Sequence, residues 1–152
     1  MASSLTINQL GKKIGSSNIL ADLSFGVEKG EVLFILGNSN SGKSTLFKIL
    51  MGLIKKDKGK IFFNGMNYDQ RKNEILPIIG YMPQNSNFDS NSNVFQNLLF
   101  FARSQGIDKQ HAKNSIYQWA DKLNFKKYIN SEIKNLSNSI LKKIAFARAL
   151  IH

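Results

Sequence analysis

The apolar residues change their spacing along the chain, from short runs before Gln84 to helical repeats after Asn93. Short apolar runs bounded by glycine and polar residues are typical of strands. Five segments follow that pattern: Leu5–Leu10, Ile19–Val27, Glu31–Leu36, Lys60–Asn64 and Ile78–Met82. The pattern therefore predicts a β-rich first part, which the polar stretch Asn85–Asn93 separates from a helical remainder.

Three helices are predicted in that remainder. The first is Val94–Ser104, with its apolar residues on one side. The second has a core-facing stripe at i, i+3, i+4 and i+7, formed by Ile116, Trp119, Ala120 and Leu123. This spacing favours a packing role for Trp119 over a ligand role. The third helix is Ser137–His152, with Ser137 or Asn138 as its N-cap.

One glycine-containing loop carries the candidate chemistry. Residues 37–44 read Gly-Asn-Ser-Asn-Ser-Gly-Lys-Ser, which matches G-x-x-x-x-G-K-[ST] between an apolar run and a helical pattern. Glycines let such a loop turn its N–H groups towards an anion, and the helix N-terminus adds positive potential. Lys43 can reach β- and γ-phosphates, and the Ser44 hydroxyl can ligate Mg²⁺. The alternative, a polar turn before an ordinary helix, is disfavoured because motif and context agree.

Size and composition bound the class of protein. The 152 residues are enough for one domain with a real core, and 42% of them are hydrophobic, as in soluble proteins. No apolar run approaches the length of a membrane span, and the first residues lack the regions of a signal peptide. The chain has no cysteine, so it has neither disulfides nor cysteine metal sites. We therefore expect a cytoplasmic protein.

The formal net charge of +11 raises the question of nucleic-acid binding. The basic residues are scattered in pairs rather than clustered: Lys12-Lys13, Lys55-Lys56, Arg71-Lys72, Lys126-Lys127 and Lys142-Lys143. No RNA-binding motif with interleaved aromatic residues accompanies them. The distribution favours a solvated surface, such as one facing phospholipid head groups, over a nucleic-acid partner.

Several segments, taken in order, resemble the ATP-binding cassette (ABC) ATPases. They are a strand before the Walker A loop (Asp22–Glu31), the Walker A loop itself (Gly37–Thr45), a following glycine-containing segment (Met51–Ile61), a Q-loop (Gly80–Gln84), and a signature motif with its helix (Leu136-Ser137 and Ala145–Leu150). The resemblance covers essentially the whole chain. It implies an α/β fold: a P-loop NTPase (RecA-like) core with a β-rich N-terminal part and an inserted helical subdomain.

The resemblance also implies a division of the chain. Residues 1–84 are expected to form the first part of the nucleotide-binding core, 85–136 the helical subdomain, and 137–152 a degenerate signature helix. The segment Asn97–Gly106 resembles cassettes that serve ABC-2 type exporters.

The resemblance implies ATP and Mg²⁺ as cofactors. The implied nucleotide-binding residues are Gly37, Asn38, Ser39, Asn40, Ser41, Gly42, Lys43, Ser44, Thr45, Gln84 and Ser137, with Ser44 and Gln84 also as magnesium ligands. In the family two such domains dimerise head to tail, so that each signature loop faces the ATP of the other domain. The expected partners are a second ATP-binding domain and a transmembrane permease subunit, which places the protein on the inner face of the cell membrane.

Three features depart from the family pattern. Ile14 stands where an aromatic side chain usually stacks under adenine. Asn40 replaces a glycine of the Walker A loop, and asparagine tolerates a positive φ better than most residues. The signature reads Leu-Ser-Asn-Ser-Ile over residues 136–140, instead of Leu-Ser-Gly-Gly-Gln. We therefore expect weak base recognition and a poor signature loop.

The family's Walker B aspartate and catalytic glutamate have no match in the chain, so no catalytic residue is assigned. The C-terminal strands of the core are missing as well, and we expect a fragment, a truncated product or a relic that does not hydrolyse ATP efficiently alone. Two alternatives stay open beside the transporter subunit. One is a non-catalytic remnant that at most binds nucleotide or a partner, and the other is a soluble ABC protein acting on ribosomes or DNA.

Overall fold

A computed structural model describes residues 3–151, and Met1, Ala2 and His152 lie outside that range. The described residues form two compact units, which divide between Leu76 and Pro77. The first unit contains the described strands, and the second is helical.

A four-stranded antiparallel sheet organises the first unit. Strands β1 (Ser3–Ile14) and β2 (Ser17–Glu28) form a long hairpin, followed later by β3 (Lys58–Phe63) and β4 (Met66–Asn67). The strand order is β2-β1-β3-β4. Register shifts interrupt the pairing of β1 with both of its neighbours, which is typical of β-bulges.

Two helices complete the first unit. Helix α1 (Lys43–Leu50) follows the glycine loop, and the short α2 (Lys72–Ile75) leads into a 3₁₀ turn at Leu76–Ile78. The fully or nearly fully buried apolar side chains come from both helices, from β1 to β3 and from the segment after β4: Ile7, Leu10, Leu20, Leu46, Ile49, Leu50, Ile61, Tyr68 and Ile75. Burial along β1 does not alternate strictly, since Leu10 and Gly11 are both buried close to the register shifts.

Two predicted strands are wrong. Neither Glu31–Leu36 nor Ile78–Met82 pairs with another strand among the described residues, and 31–36 has no regular secondary structure. The side chains of Val32, Phe34 and Leu36 are 75%, 80% and 90% exposed. A strand exists only where its N–H and C=O groups meet a neighbour, so an apolar run without a paired neighbour stays irregular.

Three helices form the second unit: α3 (Val94–Ser104), α4 (Lys109–Lys122) and α5 (Asn138–Ala149). Short 3₁₀ turns at Lys126–Tyr128 and Ile133–Asn135 connect α4 to α5. One buried cluster lies between these elements and consists of Val94, Leu98, Ala102, Ala112, Ile116, Ala120, Phe125, Ile129, Ile133, Ile144, Ala147 and Ile151. The helical periodicity of the sequence accounts for most of its members.

Trp119 packs against this cluster, as its spacing predicted. Its indole Nε1–H also donates to the Leu150 carbonyl oxygen at 3.0 Å, so the side chain ties α4 to the end of α5. Ser137 is the N-cap of α5, which ends at Ala149 rather than at the predicted His152. None of the described helices has the length and apolar character needed to cross a membrane.

Two phenylalanine substitutions, one buried and one exposed, test the position of the buried cluster. Phe125→Ala empties a fully buried position, and we expect it to lower the free energy of unfolding of the second unit by about 3–5 kcal/mol. Phe100→Ala removes a ring that is 76% exposed on α3, and it should change that free energy by less than about 0.5 kcal/mol. Urea denaturation followed by circular dichroism measures both, and equal losses would contradict the placement of the core.

Candidate phosphate-binding site

The glycine loop turns tightly between the irregular segment 31–36 and α1. Asn40 has φ 64° and Gly42 has φ 89°, both in the left-handed region. A Cβ on Gly42 would lie 2.8 Å from the Ile19 carbonyl oxygen and 2.9 Å from Leu20 Cδ2, so only glycine fits against β2. Glycine is thus required at this second glycine position of the motif for two reasons: the positive φ and the close approach of the loop to the sheet.

The Lys43 ammonium bonds to three residues of the loop. Its Nζ donates to the carbonyl oxygens of Gly37 at 2.6 Å and Asn38 at 2.7 Å, and to Ser41 Oγ at 3.1 Å. These acceptors are neutral, and no carboxylate of the described residues forms a salt bridge with this ammonium. The charge of Lys43 is therefore positioned at the loop and not neutralised there.

The N-terminus of α1 differs from those of the three long helices. A side-chain oxygen caps each of α3, α4 and α5, from Asn93, Asp108 and Ser137. Helix α1 begins after Gly42, and no side chain accepts a hydrogen bond from its first amides. The first N–H groups of a helix need an acceptor from outside the helix, and an anion serves that purpose.

These residues fit a phosphate chain. A Cβ on Gly37 would lie 2.5 Å from Ser41 Oγ, which shows how closely the loop folds on itself. The donors around it are backbone N–H groups, the Lys43 ammonium, and the hydroxyls of Ser39, Ser41, Ser44 and Thr45, a set suited to phosphate oxygens.

A magnesium ion at this loop would rely on the nucleotide for most of its ligands. Within residues 3–151, no group of three or more His, Cys, Asp or Glu side chains could hold a metal ion. Mg²⁺ keeps several waters and binds through one or two protein oxygens plus substrate phosphates. The exposed Ser44 hydroxyl, in the first turn of α1, fits that role.

The remaining predicted site residues, Gln84 and Ser137, belong to the second unit, and both are exposed. Ser137 Oγ accepts a hydrogen bond from the Ile140 amide at 3.4 Å, which leaves the hydroxyl proton as a donor. Ile140, where the family has glutamine, packs against the buried cluster. Its apolar character thus has a local structural reason.

Two anchors of α1 were not evident from the sequence. The buried Tyr68 hydroxyl donates to the Ile49 carbonyl oxygen at 3.1 Å, and Lys72 Nζ donates to that of Gly52 at 3.1 Å. Burial raises the pKa of Tyr68, so the hydroxyl keeps its proton and remains a donor. Tyr68 bonds to a carbonyl of the last turn of α1 and Lys72 to one just beyond the helix. Sequence patterns over a few residues do not predict contacts between residues so far apart in the chain.

The expected base-stacking position offers no aromatic ring. Ile14 lies at the end of β1, where it pairs with Ser17, and is 54% exposed. A half-exposed aliphatic side chain provides apolar contact without the stacking surface of an aromatic ring.

Comparison with known proteins agrees with this geometry. A family model described as ABC transporter matches residues 20–152. An uncharacterized ABC transporter ATP-binding protein of Methanocaldococcus jannaschii is 31% identical over the full chain, which covers 53% of that protein. The molybdate/tungstate import ATP-binding protein WtpC of the same organism is 33% identical over 97% of the chain and 48% of its own length. The chain spans about half the length of these relatives.

Solved structures show the same fold. The structure of an ATP-binding subunit of an ABC transporter superposes with a TM-score of 0.81 and 20% identity, covering 98% of this chain and 62% of that one. CbiO1 from Clostridium perfringens, part of the transporter complex cbiONQ, gives a TM-score of 0.86 and 24% identity, with coverages of 99% and 62%. The chain therefore has the α/β P-loop NTPase fold of such subunits.

Substitutions of Asn40 test the loop conformation. Asn40→Val places a β-branched side chain at a positive φ, and a strain of about 1–2 kcal/mol should weaken MgATP binding roughly five- to thirtyfold. Asn40→Gly is the matched control, since glycine adopts this φ freely, and it should bind as tightly as the wild type or more tightly. Titration calorimetry measures both affinities, and undiminished binding by Asn40→Val would contradict the described loop.

Proposed function

Because the chain belongs to the ABC transporter family, we propose that it binds MgATP at residues 37–45 and serves as the ATP-binding part of a transporter. The observation that carries the proposal is the uncapped N-terminus of α1 beside the Lys43 ammonium. Backbone N–H groups there can donate to phosphate oxygens, and Lys43 supplies the positive charge. Binding of MgATP is proposed to provide the free energy for transport by a separate membrane subunit, and the bound Mg²⁺ offsets the negative charge of the phosphates.

The proposed metal ligands are Ser44 and Gln84. Ser44 has an exposed hydroxyl in the first turn of α1, and Gln84 has an exposed side chain in the second unit. The Ser137 hydroxyl is proposed to donate to the nucleotide of a second ATP-binding domain. For Gln84 and Ser137 the support is their match to the family motifs.

We propose that the chain acts together with other polypeptides. The proposed partners are a transmembrane permease subunit and a second ATP-binding domain; CbiO1, one of the similar structures, is itself part of a transporter complex. The proposed location is cytoplasmic and peripheral, on the inner face of the cell membrane. The expected domain limits, 1–84, 85–136 and 137–152, are part of the same proposal, as is the resemblance of Asn97–Gly106 to ABC-2 exporter cassettes.

The exposed apolar run favours a second candidate function, that of a non-catalytic binding protein. Val32, Phe34 and Leu36 are exposed beside the phosphate loop, and exposed apolar patches are typical of surfaces that bind a partner. This candidate is a non-catalytic protein that at most binds nucleotide or a partner.

Lys43→Ala tests nucleotide binding. Loss of the ammonium removes charge-assisted hydrogen bonds to phosphate, each worth about 1.5–3 kcal/mol, so the affinity for MgATP should fall on the order of a hundredfold. Lys48→Ala, an exposed lysine of the same helix, is the control and should bind like the wild type. If calorimetry gave equal affinities for Lys43→Ala and the wild type, residues 37–45 would not be the site.

Ile14→Tyr tests base recognition. Stacking on an aromatic ring contributes about 1–3 kcal/mol per base, so the variant should bind ATP roughly tenfold more tightly than the wild type. Ile14→Leu keeps an aliphatic side chain at the same place and should change little. The wild type should also discriminate poorly between ATP and GTP, and a strong preference for either would show that another residue contacts the base.

A further inference from the structure

A buried arginine lies in the last turn of α5. Arg148 is 8% exposed, whereas arginine is almost never buried without a charged partner. No carboxylate of residues 3–151 forms a salt bridge with it. Its charge must therefore be stabilised by other groups.

Those groups come from the segment after Gln84 and from α3. Arg148 Nη1 donates to the Ser86 carbonyl oxygen, and the guanidinium carbon lies 4.8 Å from the centre of the Phe88 ring and 5.0 Å from that of Phe101. The negative faces of aromatic rings attract a cation, and more strongly when water is excluded. One side chain thus holds together α5, α3 and residues 86–88.

These contacts matter because they lie next to Gln84 in the chain. Ser86 is the second residue after Gln84, and residues 85–93 connect Gln84 to α3. This connection is otherwise irregular, with Asn87 at φ 46° and few hydrogen bonds of its own before Asp89. Without Arg148, the residues next to Gln84 would depend mainly on contacts at Phe88 and Asp89.

We propose that Arg148 is a positioning residue for Gln84: it fixes segment 85–88 on α5 and α3 and thereby restricts where the Gln84 side chain points. The proposal rests on the function proposed for Gln84 as a magnesium ligand. Any displacement of the segment must break the hydrogen bond to Ser86 and separate Phe88 from the guanidinium. Residues 84–88 therefore move with α5 rather than independently.

Amide hydrogen exchange of the whole 152-residue chain tests this, first without nucleotide. Arg148→Lys keeps a charge but loses the planar donor, and it should speed exchange in peptides covering 84–89 about tenfold or more, while α4 exchanges as in the wild type. The Asp89 amide, which donates to Asn97 Oδ1 at 2.8 Å, is the reporter. Arg103→Lys is the matched control, because Arg103 also donates to a backbone carbonyl, that of Ile107, but is exposed.

A second variant covers the case in which Arg148→Lys unfolds the unit. Phe88→Leu removes one aromatic face from outside α5, and it should also speed exchange locally. Wild-type exchange over 84–89 in either folded variant would overturn the proposal. It would equally fall if both variants lost protection throughout α3, α4 and α5, since Arg148 would then be an ordinary core residue.

Hydrogen exchange measured with MgATP distinguishes a positioning role of Arg148 from a purely structural one. MgATP should slow exchange over 37–45 in both the wild type and Arg148→Lys, but over 84–89 only in the wild type. Equal protection of 84–89 in both proteins would show that Gln84 needs no positioning by Arg148. If MgATP failed to protect 37–45 even in the wild type, the nucleotide proposal would fail, and the ligand-free comparison would still decide whether Arg148 holds the segment.

Discussion

The phosphate loop depends on the close approach of Gly42 to β2. The backbone at Gly42 lies so near the Ile19 carbonyl that a single added carbon would clash at 2.8 Å. This contact seats the start of α1 on the sheet, and the Tyr68 and Lys72 hydrogen bonds hold its other end. Since both ends are fixed, the first amides of α1 and the Lys43 ammonium keep one geometry relative to the loop, which is the condition for binding a phosphate chain.

The segment before the loop lacks comparable support. Val32, Phe34 and Leu36 carry the apolar side chains of a buried strand, yet they are exposed and their backbone is unpaired within the described residues. Unpaired extended segments with large apolar side chains are prone to associate with other chains. Within the described residues, hydrogen bonds hold the helical side of the loop, whereas the segment before the loop is unpaired.

The helical unit combines an ordinary apolar core with one buried charge. Its core follows from periodicity, and side-chain caps satisfy the N-termini of its three helices. Arg148 is different, because burial disfavours its charged form and lowers its pKa, and only a carbonyl and two aromatic rings offset that cost. Such an arrangement gives the segment after Gln84 a fixed neighbour that apolar packing alone would not specify.

The sequence by itself determined the features that depend on local rules. The bounds of α3, the N-cap at Ser137, the packing of Trp119 and the P-loop at 37–44 all follow from spacing, capping and turn chemistry over a few residues. Tertiary structure decided what depends on distant partners. Glu31–Leu36 has the composition of a strand but no paired neighbour, and the burial of Arg148 and the anchoring by Tyr68 need residues far away in the chain. A periodic pattern shows which face of an element is apolar. The pairing of a strand and the burial of a charge depend on groups from other parts of the chain that contact the element.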